Sequence, residues 1–197
     1  MYVDQVFDGV LGSQYADVQN RITVVLPTFD DVPAGAWYCD AAQWAAARGI
    51  TTGATETTFE PAAPCTRANI LTFLWRAAGQ PAAEGQNPFT DLAGGEYYYD
   101  AALWACEQGL IDGTVFDAAA GCTRGDVVTY LWMLAGSPVP AGQSPFADVA
   151  SDAPFAQAAQ WAVDQNVTTG TSDTTFSPDT VCSRGEIVTF LYRYFAQ

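Results

Sequence analysis

One segment occurs three times in this chain, and it constrains the fold more than any other feature. It reads Cys65-Thr66-Arg67-Ala68-Asn69, then Cys122-Thr123-Arg124-Gly125-Asp126, then Cys182-Ser183-Arg184-Gly185-Glu186. Each copy runs straight into an apolar stretch: Ile70–Trp75, Val127–Trp132 and Ile187–Tyr192. A Thr or Ser with Asn, Asp or Glu three places later is a helix start. The hydroxyl accepts from the N3 amide, and a Glu at N3 can reach back to close a capping box. Each of these stretches is apolar nearly all round, as in a helix buried on most sides. Three such helices predict a central bundle built from three copies.

The rest of the chain repeats in step. Each copy opens on Phe-x-Asp, at Phe29–Asp31, Phe89–Asp91 and Phe146–Asp148, and a Trp stands 13 places after the Asp at Trp44, Trp104 and Trp161. Internal similarity at this period is the mark of a repeat architecture. Ala41, Trp44 and Ala45 share one helical face, as do Ala101, Trp104, Ala105 and Ala158, Trp161, Ala162. First helices are expected over Tyr38–Arg48, Tyr98–Gln108 and Phe155–Gln165, closed by Gly49, Gly109 and Asn166 in left-handed caps. Second helices are expected over Thr66–Ala78, Thr123–Ala135 and Ser183–Phe195. The copies stay in register except between Gly and Phe of the middle loop. Gly53 to Phe59 and Gly170 to Phe176 are six apart, whereas Gly113 to Phe116 is three. The expected organisation is an all-α unit with repeats at 29–88, 89–145 and 146–197, preceded by a linker or the tail of another domain at 1–28.

Charge bears on partners. The net charge is −15 with no histidine, and all seven basic residues are arginines. So acidic a chain repels nucleic acid and anionic membranes. The lack of histidine removes most acid–base triads and most zinc sites. No apolar run is long enough to span a bilayer. Three of the seven arginines, Arg67, Arg124 and Arg184, take the same repeat slot, which points to an anion contact or a structural ion pair. The repeated cysteines read as small buried side chains just before the cap. Cys106 and Cys122 have a further reading. The short loop of the middle copy would draw its helices together, so a bridge between them and a pair of free thiols are both open. No acidic pair stands out from the 22 acids, so a glycosidase reading is weak.

Phe-x-Asp, the Trp-bearing helix, Gly-(Ile/Val)-Thr-Thr-Gly, Thr-Thr-Phe-x-Pro and the Thr/Ser-Arg-(Ala/Gly)-(Glu/Asp/Asn) cap together resemble the S-layer homology repeat, over about residues 29–197. The resemblance implies a pseudo-threefold spindle: a central three-helix bundle with three helix-loop prongs. It implies a non-catalytic anchor of extracellular surface proteins that needs no cofactor. The partner it implies is secondary cell-wall polysaccharide of Gram-positive bacteria, commonly through a pyruvylated terminal sugar held in grooves between prongs. A cargo domain upstream would fit that role. Carried over by position, Arg67, Arg124 and Arg184 become anion contacts. Asp31, Asp91 and Asp148 become sugar-hydroxyl acceptors or loop anchors, and Gly53, Gly113 and Gly170 let the backbone approach the ligand. Trp37 is the aromatic expected to be exposed for sugar stacking. Two departures stand out. Asn69 replaces the usual Glu, which is expected to weaken the first reciprocal cap and the partner of Arg67; the middle copy's short loop is expected to alter its groove. A protein–protein assembly module of a surface layer is the alternative.

Overall fold

The computed structural model describes residues 29–196. The reading of 1–28 as a linker or preceding tail lies outside them. Six helices occur in order: α1 Cys39–Ala47, α2 Arg67–Ala77, α3 Tyr99–Glu107, α4 Arg124–Leu134, α5 Ala156–Asp164 and α6 Arg184–Phe195. Among the described residues there is no strand, only three isolated bridges. None of these helices is long and apolar enough to cross a membrane. Every helix end falls within one residue of its expected position.

The second helix of each copy begins where the cap motif requires. Thr66, Thr123 and Ser183 accept from the N3 amides, and the N3 side chains accept from the N-cap amides, closing three capping boxes. Asn69 still closes the first box, but with a longer bond. Its amide oxygen accepts from the Thr66 amide at 3.1 Å, against 2.8 Å at Asp126 and at Glu186, as expected where a neutral amide replaces a carboxylate.

The first helices, α1, α3 and α5, have nine residues each and no side-chain N-cap. Helices this short are marginal alone in water, so they persist by burying a face. That face is alanine-rich: Ala41, Ala42 and Ala45 are buried, as are Ala101, Ala102, Ala105 and Ala158, Ala159, Ala162. Small side chains let the backbones close in, and each first helix packs on the second helix of another copy. α3 packs on α2, α5 on α4, and α1 on α6, so the order closes on itself. Trp104 and Trp161 are buried as expected, and the half-buried Trp44 stands edge-on to Tyr192 at 5.7 Å. Trp75 and Trp132 are half-buried, and their indoles donate to the carbonyls of Pro81 and Pro138, tying down the linkers.

The same cyclic order governs the backbone just before the bundle helices. The Cys65 amide donates to the Cys182 carbonyl at 2.9 Å, Cys182 to Cys122 at 2.8 Å, and Cys122 to Cys65 at 3.2 Å. Three successive segments thus close a ring of hydrogen bonds. A helix leaves its first amides without intrahelical partners. Here Arg67 and Ala68 donate to the carbonyls of Ala120 and Ala118, Arg124 and Gly125 to Thr180 and Pro178, and Arg184 and Gly185 to Ala63 and Pro61. All five cysteines are free thiols, so Cys106 and Cys122 are unbridged. Cys122 lies instead in the ring with Cys65 and Cys182.

Candidate functional site

The repeated arginines sit at N1 of α2, α4 and α6, each where one copy meets the next. Arg124 Nε donates to the carbonyl of Phe176 at 2.8 Å, and Arg184 Nε to that of Phe59 at 2.7 Å. Arg67 reaches the carbonyl of Phe116 through Nη1 at 2.5 Å. Two of them also lie over aromatic rings: Arg124 is 5.0 Å from the centroid of Phe176, and Arg184 is 5.0 Å from that of Phe59. Guanidinium planes favour such faces.

Phe-x-Asp supplies the other half of each junction. Asp31 accepts from the amides of Phe59 and Glu60 at 2.7 and 2.6 Å. Asp91 accepts from Phe116 and Asp117 at 2.7 and 2.8 Å, and Asp148 from Phe176 and Ser177 at 2.8 and 2.7 Å. The residue after each Phe adopts a left-handed conformation: Glu60 φ 57°, Asp117 φ 49°, Ser177 φ 58°. Two carboxylate bonds hold that unfavourable turn in place. Asp and Arg therefore grip the same Phe residue at its amide and its carbonyl, and they do not pair with each other. Within the arginine trio the ion pair is between Arg124 and Glu186, at 2.5 Å. Glu186 is the N3 residue of the following copy. In the cyclic order of the copies, the N3 residue that follows Arg67 is Asp126, and the one that follows Arg184 is Asn69.

Two of the three loop glycines are also required by their own loops. Gly53 and Gly170 have φ of 91° and 84°. A side chain at Gly53 would strike the Phe29 ring at 2.7 Å, and one at Gly170 the Phe146 ring at 2.5 Å. The space a Cβ would take is filled by their own loops and the Phe rings. At the shortened loop, nothing lies within 4 Å of a side chain built on Gly113. A cavity of about 190 Å³ opens there, lined by Arg67, Leu110, Ile111, Asp112, Val115 and Phe116.

Exposed aromatics flank the junctions. Trp37 is 63% exposed and stands edge-on to Tyr38 at 5.1 Å. Tyr97 is 58% exposed and stands edge-on to Tyr98 at 4.9 Å. The Tyr97 hydroxyl accepts from Asn69 Nδ2 at 2.8 Å, so a third copy touches the Arg184 junction. Sequence reasoning passed over Tyr97, although it holds the repeat position of Trp37, six places after the Asp. It also passed over Thr51, whose hydroxyl accepts from Arg184 Nη2 at 3.4 Å.

Two stretches of the chain match the S-layer homology domain, at residues 28–68 and 145–188. Each S-layer homology stretch includes a Phe-x-Asp, a first helix and a Thr/Ser-Arg cap; α3 lies outside both. Endo-1,4-beta-xylanase A of Thermoanaerobacterium saccharolyticum is 33% identical over 86 residues, which is 44% of this chain and 7% of that enzyme. The chain thus spans a small part of that relative's length.

Proposed function

We propose that this chain is a non-catalytic cell-wall anchoring module made of three S-layer homology repeats, at 29–88, 89–145 and 146–197, arranged as a pseudo-threefold spindle. It acts at the cell surface and binds secondary cell-wall polysaccharide in the grooves between repeats, through a pyruvylated terminal sugar. S-layer homology domains generally anchor proteins to the cell wall, and two stretches of this chain match that domain. The three-repeat reading is supported by the cyclic backbone ring and by the middle copy's own capping box, Asp clamp and crossing arginine.

One observation carries the binding reading. At each junction an arginine from one copy meets the loop of the next, with exposed aromatics such as Trp37 and Tyr97 beside the bundle helices. A pyruvate ketal carries a carboxylate, and a guanidinium recognises carboxylates by charge-assisted hydrogen bonds. Arg67, Arg124 and Arg184 are its proposed contacts. Asp31, Asp91 and Asp148 act in this reading chiefly as loop anchors, and Trp37 as a stacking face for sugar. A xylanase relative fits a module carried beside unrelated cargo.

The test is co-sedimentation of the purified chain with Gram-positive cell-wall sacculi. The chain is expected to pellet with intact sacculi and to stay in solution once the wall polysaccharide has been extracted. Equal pelleting with extracted sacculi would refute the reading, and self-assembly without sacculi would favour the protein–protein alternative.

A further inference from the structure

The two linkers between copies align residue for residue, from Gly79 and Gly136 to Phe89 and Phe146, yet they sit differently on the helix that follows them. In the first, Glu107 at the end of α3 accepts from the amides of Glu84, at 2.7 Å, and of Gly85, and Ala83 packs on the core. That linker is pinned to its helix. In the second, three equivalent places differ. Asp164 stands for Glu107 and is one methylene shorter. Gln160 stands for Leu103, and its Nε2 donates to Asp164 Oδ1 at 2.6 Å, holding the carboxylate along α5. Pro140 stands for Ala83; it has no amide and keeps Val139 extended. Among the described residues no carboxylate takes the amides of Ala141 and Gly142, the counterparts of Glu84 and Gly85. A cavity of about 610 Å³ opens between this linker and the helix ends, lined among others by Pro140, Ala141, Trp161, Asp164, Gln165 and Tyr194. No arginine lines it. Tyr194 lies about 15 Å along α6 from Arg184, so the cavity is at the end of the bundle away from the junctions.

We propose that this cavity is a binding site for an uncharged sugar unit, separate from the junctions. Its volume is that of ordinary small-molecule sites, about 300–1,000 Å³. The half-buried Tyr194 ring, braced edge-on by Trp161 at 5.5 Å, offers an apolar wall for the C–H face of a pyranose. Gln160 occupies Oδ1 of Asp164 and leaves Oδ2 to accept from a sugar hydroxyl, a charge-assisted bond. The Ala141 amide, whose counterpart binds a carboxylate oxygen in the first linker, is open to a sugar oxygen. Charge sets the selectivity. With a carboxylate on the rim and no cation in the lining, an acidic sugar meets repulsion with nothing to offset it. The site therefore takes the kind of unit that the arginine junctions have no charge to recognise.

Nuclear magnetic resonance on the whole chain tests this through the Trp161 indole signal. The probes are four methyl β-hexosides (gluco, galacto, manno and N-acetylgluco) and methyl β-glucuronide. At least one neutral hexoside should shift that signal saturably, and the glucuronide should bind about tenfold more weakly or worse. Asp164→Asn should weaken the neutral hexoside about threefold or more and narrow its lead over the glucuronide. The double variant Gln160→Leu, Asp164→Glu copies Leu103 and Glu107, so it should pin the second linker as the first is pinned. It should melt no lower than wild type and bind the hexoside about tenfold more weakly. No saturable shift with any neutral hexoside at about 50 mM overturns the proposal, as does equal binding of the glucuronide, or a folded double variant that binds like wild type. The site does not rest on the anchoring function. If the wild-type chain fails to pellet with sacculi, that function falls, and a saturable hexoside shift at Trp161 still upholds the site.

Discussion

The guanidinium of Arg124 donates to the carbonyl of Phe176 at 2.8 Å and also lies over that residue's own ring, 5.0 Å from its centroid. Asp148 holds the amide of the same Phe176 at 2.8 Å. One fully buried aromatic is thus fixed at its amide, carbonyl and ring, by two copies at once. Phe59, between Asp31 and Arg184, repeats the arrangement.

Arg124→Ala should therefore destabilise the fold strongly. It strips a buried carbonyl of its donor and leaves Glu186 without its partner. Removing one member of a buried pair costs roughly 3–5 kcal/mol, and the partial exposure of Glu186 places this case near the low end, at about 3 kcal/mol. Arg124→Lys should recover little, because one ammonium cannot reach the carbonyl and the carboxylate from a planar fork. Urea unfolding monitored by tryptophan fluorescence measures both. A loss under about 1 kcal/mol for the alanine variant would mean that the crossing contacts add little to stability.

The three aspartates should make stability fall in acid. At Asp91 the amides of Phe116 and Asp117 hold the carboxyl below its usual value. At Asp31 and Asp148 burial pushes the carboxyl up, but the amides of Phe59 and Glu60, and of Phe176 and Ser177, more than offset it. A carboxyl with a lowered folded-state pKa stabilises the fold above its unfolded value of about 3.9 and loses that contribution as pH falls through the folded value. Melting temperature should thus hold steady from neutral pH to about 4 and then drop. The triple Asp→Asn variant should start lower and show a shallower drop. An unchanged acid limb in that variant would remove these carboxyls as its cause.

Much of this was legible in the sequence because it is local. The cap motif at Thr66, Thr123 and Ser183 fixes where a helix starts, and the Ala/Trp spacing fixes which face is buried. A single sequence does not show which copy each side chain reaches. Arg67 lies within its own capping motif, yet it donates to Phe116, 49 residues on. Asn69 likewise reaches another copy, donating to the Tyr97 hydroxyl 28 residues on, which its local motif does not show. Tyr97 was passed over because Pro154 fills its place in the third copy, so the position shows no shared chemistry.

The ring cysteines should be inert in the native protein. Burial pushes the Cys65 thiol up to about 12, with Arg184 lowering it and Glu186 raising it by smaller amounts. Burial also raises Cys122 and Cys182. The thiolate is the reactive form, so these three should resist alkylation at mildly alkaline pH. Half-buried Cys106 should react first. Mass spectrometry after timed alkylation should find Cys65, Cys122 and Cys182 labelled only as the protein unfolds. Labelling of any ring cysteine as fast as Cys106 would mean that the ring opens locally.

The three loop glycines should respond unequally to substitution, although the sequence repeats them in register. Gly53, Gly113 and Gly170 all have positive φ, at 91°, 94° and 84°. Strain alone would make each Gly→Ala change cost roughly 1–3 kcal/mol. The surroundings then separate them. A Cβ at Gly53 meets the Phe29 ring and the Thr58 carbonyl, both at 2.7 Å, and one at Gly170 meets the Phe146 ring and the Thr175 carbonyl, both at 2.5 Å. Those rings are buried against Phe59 and Phe176, so neither can give way without disturbing the core. A backbone carbonyl folded into a tight loop is no more yielding. The three-residue deletion removes that crowding at Gly113. Gly113→Ala should therefore lose only the strain, about 1 kcal/mol, while Gly53→Ala and Gly170→Ala should each lose about 2 kcal/mol more as overpacking adds to it. Equilibrium unfolding of the three single variants decides the matter, and equal losses at all three positions would show that backbone strain, not the packing of the longer loops, sets the requirement for glycine.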